Sequence, residues 1–322
     1  MFLLAALSLV ATAQAGPGYK VIKTWKLGGE GGWDYLNVDS DGHRLFIARS
    51  TRVMVVDTES GKLLGEVPDT PGVHGTALVP ELGRGFISAG GEDTVVIFDF
   101  KTLKVLNKVK VGTRPDAIIY DPFTKRVFTF NARSHDTTAL DASKGEVAGT
   151  LALGGKPEYA VSDGKGTMWV NIEDTSELVQ FDPQKLAVKA RWKLTGCEEP
   201  SGLAFDAKNR RLFAGCGNKV MTVVDADSGK VLATPAIGNG CDGTVFDPER
   251  GNAFATAHDG TLTVVHEDTP DKFSVAQTVT TQPSARTVTL DPKTHLVYTV
   301  AAKVLPERKV EPDSFVVIVV GQ

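Results

Sequence analysis

The chain has 322 residues, of which 42% are hydrophobic and 23% are charged, values that are ordinary for a globular protein. Its formal net charge of −4 excludes a general electrostatic attraction to the phosphates of nucleic acids. The 33 glycines are typical of a turn-rich β protein, because many turns need a backbone with positive φ.

The first 15 residues predict a secretory signal peptide. Residues 1–14 carry no charge, residues 2–10 are apolar apart from one serine, and residues 11–15 supply small side chains before a cleavage site. A basic start is absent and a hydrophobic strand is the alternative, but the alanine-rich composition favours the signal peptide. We therefore expect a mature chain, residues 16–322, that is periplasmic or secreted. No other segment approaches the length of a membrane span.

Two sequence patterns repeat along the rest of the chain with one period. In the first, two mostly hydrophobic residues precede an aspartate every 41 to 43 residues, and His266 takes the sixth place. The second pattern has seven copies. In six of them an aspartate precedes a short β-rich segment, and in the second copy Val79-Pro80 stands in place of the aspartate. The aspartates of the two series are Asp57, Asp99, Asp141, Asp182 and Asp225, and Asp39, Asp121, Asp163, Asp206, Asp247 and Asp291.

Each repeat predicts four strands, a to d, with an aspartate turn between a and b and another between c and d. Four strands in about 40–45 residues form one propeller blade, so seven repeats predict an all-β, seven-bladed β-propeller. The aspartates fix the turns by accepting hydrogen bonds from nearby backbone N–H groups, and we do not interpret them as a catalytic array. The last repeat lacks strand d, and residues 19–27 are predicted to supply it beside residues 315–320.

Several segments resemble the YVTN-repeat consensus. They are residues 95–99, 108–112, 114–115 and 120–122, with variants of the naming tetrapeptide at 127–131 and 297–300. The chain is similar to the YncE-like periplasmic β-propellers, and more broadly to cytochrome d1-type propellers, over residues 19–321. The resemblance implies the fold but no activity, because most members have none assigned. Some members are described as DNA-binding, a role that the slight acidity of this chain opposes.

The start of each inner strand is the predicted site. In a propeller, the d–a and b–c loops share one face at the mouth of the central channel. The residues five positions before the a–b aspartates give the ring Asp34, Gly75, Asp116, Glu158, Ser201, Asp242 and Arg286. With neighbours added, the predicted ligand-binding residues are Trp33, Asp34, Tyr35, His74, Arg114, Asp116, Lys156, Glu158, Asp242 and Arg286. A concave mouth with converging polar groups is typical of a ligand site.

The mouth leaves three interpretations open: a hydrated rim, a bound small ligand or peptide, and a hard cation. The carboxylates available to a cation are those of Asp34, Asp116, Glu158 and Asp242. We predict no metal or other cofactor, because His74, His135 and His258 come from blades two, three and six and the chain lacks a CxxCH haem motif.

The prediction for function is an exported, non-catalytic binding or scaffold module. Its partner would be a small molecule, a peptide or a periplasmic protein, and we expect a monomer. The runner-up is a metal-assisted lyase or hydrolase that uses the mouth carboxylates, although no nucleophile elbow, HExxH motif or phosphate loop occurs. Single-stranded nucleic-acid binding is the third alternative, and the acidic ring positions oppose it.

The three cysteines are all predicted on the mouth face. Cys197 precedes strand a of blade five and Cys216 ends strand b, so adjacent antiparallel strands favour a Cys197–Cys216 disulfide and leave Cys241 as a free thiol. A Cys216–Cys241 bridge is the alternative. The long b–c loop of blade seven, residues 303–314, is predicted on the same face, as a lid or partner contact or as a passive insertion.

Overall fold

A computed structural model describes residues 18–322, and the predicted signal peptide at residues 1–15 lies outside this part of the chain. The described residues form seven antiparallel sheets of four strands each. The only helical segments among them are two 3-10 turns, Pro80–Leu82 and Pro306–Arg308. The predicted all-β, seven-bladed propeller is therefore confirmed.

In blades one to six, the strands are arranged in chain order from the channel outwards. Blade one contains β2 (Leu36–Asp39), β3 (Arg44–Arg49), β4 (Arg52–Asp57) and β5 (Leu63–Val67). Blade two contains β6 (Val73–Val79), β7 (Arg84–Ala89), β8 (Thr94–Asp99) and β9 (Val105–Lys110). Blade three contains β10 (Pro115–Asp121), β11 (Arg126–Asn131), β12 (Asp136–Asp141) and β13 (Glu146–Ala152). Blade four contains β14 (Pro157–Ser162), β15 (Met168–Ile172), β16 (Glu177–Asp182) and β17 (Ala187–Lys193).

The remaining three blades close the circle. Blade five contains β18 (Pro200–Asp206), β19 (Arg211–Cys216), β20 (Met221–Asp225) and β21 (Val231–Ala233). Blade six contains β22 (Cys241–Asp247), β23 (Asn252–Ala257), β24 (Thr261–Thr269) and β25 (Lys272–Thr280). Blade seven contains β26 (Val288–Asp291), β27 (Leu296–Ala301), β28 (Val316–Gly321) and, from the other end of the chain, β1 (Lys20–Lys26). Each innermost strand contacts the next around the ring, and β26 contacts β2.

The apolar core is divided among the seven junctions between blades. The alternation of each strand presents one side chain to the preceding blade and the next to the following blade. Leu45 and Met54 of blade one, for example, pack with Val300 of blade seven, whereas Phe46 of blade one packs with Phe98 of blade two. Because every cluster needs two neighbouring blades, no blade buries its apolar residues alone.

The N-terminal strand completes blade seven as predicted. β1 pairs antiparallel with β28, with Val21 opposite Val320 and Trp25 opposite Val317. Just before it, Tyr19 exchanges two hydrogen bonds with the side chain of Gln277 in blade six, at 2.8 and 2.7 Å. The N-terminal segment is thus tied to both sides of the ring closure.

The turn aspartates and the cysteines behave as predicted from the sequence. Asp141 Oδ1 accepts hydrogen bonds from the backbone N–H groups of Ser143 and Lys144, both at 2.9 Å, and the c–d turns of Asp99, Asp182 and Asp225 repeat this motif. The disulfide joins Cys197 and Cys216, whose Cα atoms lie 5.5 Å apart. Cys241 is free and buried, and burial raises the pKa of its thiol to about 12, so the thiol is protonated and unreactive.

Substitution of Tyr19 tests how much the closure of the ring contributes to the stability of the fold. The Tyr19 side chain is buried, and it lies edge-to-face on Phe254 with the ring centroids 5.0 Å apart. We expect Tyr19→Ala to lower the free energy of unfolding in urea by about 3 kcal/mol, the scale of an aromatic-to-alanine cavity. Tyr19→Phe is the matched control, because it keeps the ring and loses only the hydrogen bonds that the hydroxyl accepts, from Asn252 Nδ2 at 3.2 Å and from Arg250 Nη1 at 3.5 Å. Tyr19→Phe should lower the free energy of unfolding by about 1 kcal/mol. Equal stabilities for the three proteins would contradict this account.

Candidate functional site

One side chain of each blade lies at the channel mouth, and in blades two to six a β-bulge places it there. In blades two to six, the first residue of the inner strand pairs with the end of the second strand, and the ladder then shifts register. A β-bulge of this kind re-aims the side chain that follows the first pair. The residues so placed are His74, Asp116, Glu158, Ser201 and Asp242. Asp34 and Arg286 take the same place before β2 and β26.

The ring position of blade two is His74, and the prediction of Gly75 is wrong. Val73 pairs with Ala89 as Pro115 pairs with Asn131 in blade three, so His74 corresponds to Asp116. Val79 occupies the place of the turn aspartate in this blade, and a 3-10 turn begins at the following proline. Counting back five residues from that proline therefore shifted the position by one.

Eight of the ten predicted residues line one pocket of about 360 Å³ at the mouth. They are Asp34, Tyr35, His74, Asp116, Lys156, Glu158, Asp242 and Arg286. Trp33 is buried beside them and lines an adjoining pocket. Arg114 does not line the pocket: its side chain is exposed, and its backbone N–H donates to Asp93 at 2.8 Å.

Five blades are linked at the mouth by charged side chains. His74 Nδ1 lies 2.6 Å from Asp34 Oδ2 and 3.4 Å from Asp116 Oδ1. On the other side, the Arg286 guanidinium donates to Asp242 and lies 4.0 Å from Asp34 Oδ1. Burial alone would lower the pKa of His74, but the hydrogen bond that its Nδ1–H donates to Asp34 and the charge of Asp116 raise it above the usual value. The two carboxylates beside this histidine thus favour its protonated form.

Tyr35 forms the floor of the pocket. Its side chain reaches from blade one to blade four, where its ring lies 5.1 Å from that of Tyr159 and its hydroxyl donates to Glu158 Oε2 at 3.4 Å. Burial, and then the charges of Glu158 and Asp116, raise the pKa of Tyr35 well above 10.0, so the phenol stays protonated. Tyr159 also lines a more apolar cavity of about 640 Å³ among the inner strands. Each ring of this pair therefore lines a different cavity.

The pocket has an excess of negative charge. Six carboxylates line it, against two permanent cations and two histidines. Lys156 Nζ lies 2.9 Å from Glu158 Oε1 and also contacts Glu173, while Arg286 is taken by Asp242. Burial, and then the negative charge of Asp116, raise the pKa of Glu158 well above its usual value.

Asp116 shows the same effect from the other side of the pocket. Burial raises its pKa to about 6, and the charge of Asp34 adds to the rise although His74 opposes it. Carboxyl groups that resist ionisation in this way indicate a site where a further positive charge would be stabilised.

Some lining residues were not among the predicted site residues. Glu173 follows β15, and its N–H donates to the carbonyl of Lys156 at 2.9 Å, which ties two mouth loops together. An acidic residue directly after a second strand was the available signal. Glu199 and His258 also line the pocket. Asn171, near the end of β15, is buried and donates to the carbonyls of Ser201 and Gly202, so its role is structural.

Comparison with known proteins supports the resemblance. No protein-family model matches the chain. The protein YncE of Escherichia coli O157:H7, described as uncharacterized, is 24% identical over 144 residues, which are 41% of this chain and 40% of YncE. The chain thus matches about two fifths of the length of that relative. Hydrazine synthase of Kuenenia stuttgartiensis has a TM-score of 0.72 at 17% identity, covering 84% of this chain and 92% of its own. The chain is therefore similar in sequence to YncE, and it has the same fold as the matched chain of the hydrazine synthase structure.

Replacing Asp116 tests the electrostatics of the pocket. The folded chain raises the pKa of this carboxyl from 3.8 to about 6, so it binds the proton more tightly than the unfolded chain. The stability that this proton contributes is present below about pH 4 and is lost as the pH rises through about 6. We expect Asp116→Asn to increase the free energy of unfolding by about 1–3 kcal/mol at pH 7.5 and by less at pH 4.5.

Urea unfolding at the two pH values makes the measurement. Glu59→Gln is the control, because Glu59 is an exposed carboxylate in a c–d turn on the opposite face. It should leave the stability nearly unchanged at both pH values. A loss of stability in Asp116→Asn at pH 7.5 would show that this carboxylate stabilises the fold instead of opposing it.

Proposed function

We propose that the chain is a non-catalytic binding module whose channel mouth takes a small cation or a basic side chain presented by a partner. The observation that carries the proposal is the excess of carboxylates in a pocket of about 360 Å³. A primary ammonium has three N–H donors and fits carboxylate oxygens that approach from different blades. Its charge would favour the ionised forms of Asp116 and Glu158, whose pKa values are raised by burial and then by neighbouring carboxylates.

The protonation states of the other lining groups favour binding over catalysis. Burial lowers the pKa of Lys156, but contacts with Glu158 and Glu173 outweigh burial and raise the pKa above its usual value. The amine therefore stays charged and cannot act as a base. The Tyr35 phenol stays protonated for the reasons given above. The cysteine at the pocket, Cys241, is a protonated thiol. None of these three groups can therefore act as a nucleophile or general base at pH 7.

A metal-assisted lyase or hydrolase is the second candidate function, and one observation favours it. The ligand atoms of Asp34, His74 and Asp116 all lie within 4.8 Å of one another. Three protein ligands with access to water are typical of a metal site that retains an open position. His74 would have to give up its proton and its bond to Asp34, which the local negative charge opposes.

Calorimetric titration at pH 7.5 and low salt, with agmatine and putrescine as cationic probes and glutarate as the anionic probe, tests the proposal. We expect the cations to bind and glutarate not to bind. Asp116→Asn should weaken cation binding about tenfold, and Glu59→Gln should not change it. The affinity should also fall below about pH 6, where Asp116 takes up its proton.

The contrary outcomes are distinct. Binding of glutarate alone would overturn the proposal. If neither amine binds and EDTA-treated protein instead binds Zn²⁺ or Mn²⁺, with loss of binding in His74→Ala, the metal-dependent candidate takes its place.

We also propose that the chain is exported and that residues 16–322 form the mature protein. A Cys197–Cys216 disulfide is compatible with an oxidising compartment. Within residues 18–322, no helix is long and apolar enough to cross a membrane. N-terminal sequencing of the protein from the periplasmic fraction of expressing cells should give Gly16 as the first residue. A chain that keeps residues 1–15 and stays in the cytoplasm would contradict export.

A further inference from the structure

A second pocket adjoins the polar one. It has a volume of about 570 Å³, and it shares the side chains of Arg286 and His258 with the polar pocket. Its other walls are formed by Trp33, Val304 and Val310, together with Gly32 and Ser284. Two pockets that share a wall of two side chains can hold two parts of one molecule.

The wall on the solvent side comes from the long loop of blade seven. Residues 303–314 form a small hairpin: Val304 bridges Val310, Leu305 N–H donates to Lys309 O at 2.7 Å, and Glu311 N–H donates to Lys303 O at 2.8 Å. This hairpin presents Val304 with 47% of its surface exposed. The loop therefore carries an ordered apolar side chain beside the mouth.

The wall on the protein side is Trp33. Its indole packs on Phe315 with the ring centroids 5.9 Å apart. Its Nε1–H is buried and has no hydrogen-bond partner among residues 18–322. An apolar wall that also contains an unpaired donor is typical of a pocket for an organic group.

The wall shared by the two pockets carries no free positive charge. The Arg286 guanidinium is taken by Asp242 and by the carbonyl of Trp33, the latter at 2.7 Å. Burial lowers the pKa of His258, so this imidazole is neutral at pH 7. A cation bound among the carboxylates can therefore extend an apolar group past this wall without meeting an uncompensated charge.

We propose that the ligand is an amphiphilic amine, with its ammonium group in the polar pocket and an aryl or alkyl group in the second pocket against Trp33, Val304 and Val310. This inference rests on the proposed function, because the polar pocket must take a cation. It adds the chemical class of the rest of the ligand. It also assigns the blade-seven hairpin a role as a specificity-determining wall.

Titrations with ethylamine and 2-phenylethylamine test the inference. Both probes carry one ammonium group, and only the second carries an aryl group. Burial of a phenyl ring should make 2-phenylethylamine bind at least about tenfold more tightly than ethylamine. Val304→Ser should remove most of that preference and leave ethylamine binding unchanged. Because the Val304 side chain is exposed, we expect the serine variant to fold normally.

The matched control is Val275→Ser, at a valine on the outer strand β25 of blade six that is exposed to a similar degree, 44%. It should retain the full preference for the aryl amine. Asp116→Asn should weaken the binding of both probes by the same factor, since it acts on the ammonium group only.

The outcomes separate the inference from the function on which it rests. Equal binding of the two amines overturns the inference and leaves the cation site in place. A preference for 2-phenylethylamine that survives Val304→Ser also overturns it, because the aryl group then binds elsewhere. Absence of binding by either amine, together with agmatine and putrescine, overturns both.

Discussion

The closure of the ring is the constraint on which the rest of the structure depends. Every apolar cluster lies between two neighbouring blades, so the cluster between blades seven and one exists only when the two chain ends meet. β1 brings them together by pairing with β28, and Tyr19 extends the contact to blade six. Once the ring is closed, the seven inner strands have fixed neighbours, and the geometry of the mouth follows from them.

The bulges at the start of the inner strands convert this scaffold into a site. A bulge leaves a carbonyl without its ladder partner, and such a group is costly when buried. Polar side chains of the preceding blade supply that partner: the Ser88 hydroxyl donates to the carbonyl of Asp116, and Asn171 Nδ2 donates to that of Ser201 at 3.2 Å. The backbone is thus held by the neighbouring blade, and the side chain at the bulge is free to face the channel. Its chemistry can differ in each blade without a change of fold.

This division explains what could be predicted from the sequence. The blade count and closure were predictable because turn chemistry and strand alternation are local and recur with one period. Most of the mouth residues were also predictable, because a constant offset from the a–b aspartate specifies them. The offset failed for His74 because blade two has Val79 at the place of the aspartate.

Other features depend on contacts that no local pattern encodes. Tyr35 crosses the channel to Tyr159, and Lys156 meets Glu173 from another loop. The second pocket needs Trp33 and Val304, which are far apart in the sequence. Such contacts follow from the three-dimensional arrangement of the blades, so the sequence could name the members of the site but not their partners.

The electrostatics of the mouth argue for a ligand over a simply hydrated rim. A hydrated rim has no need to hold carboxyl groups where ionisation is unfavourable, yet Asp116 and Glu158 are both in that state. The ring can tolerate this cost because its stability comes from the junctions between blades and not from the mouth. A cation that enters the pocket would recover part of this cost as binding free energy, because its charge stabilises the ionised form of these carboxyl groups. The carboxylates that oppose folding at neutral pH are therefore those on which the proposed preference for cations depends.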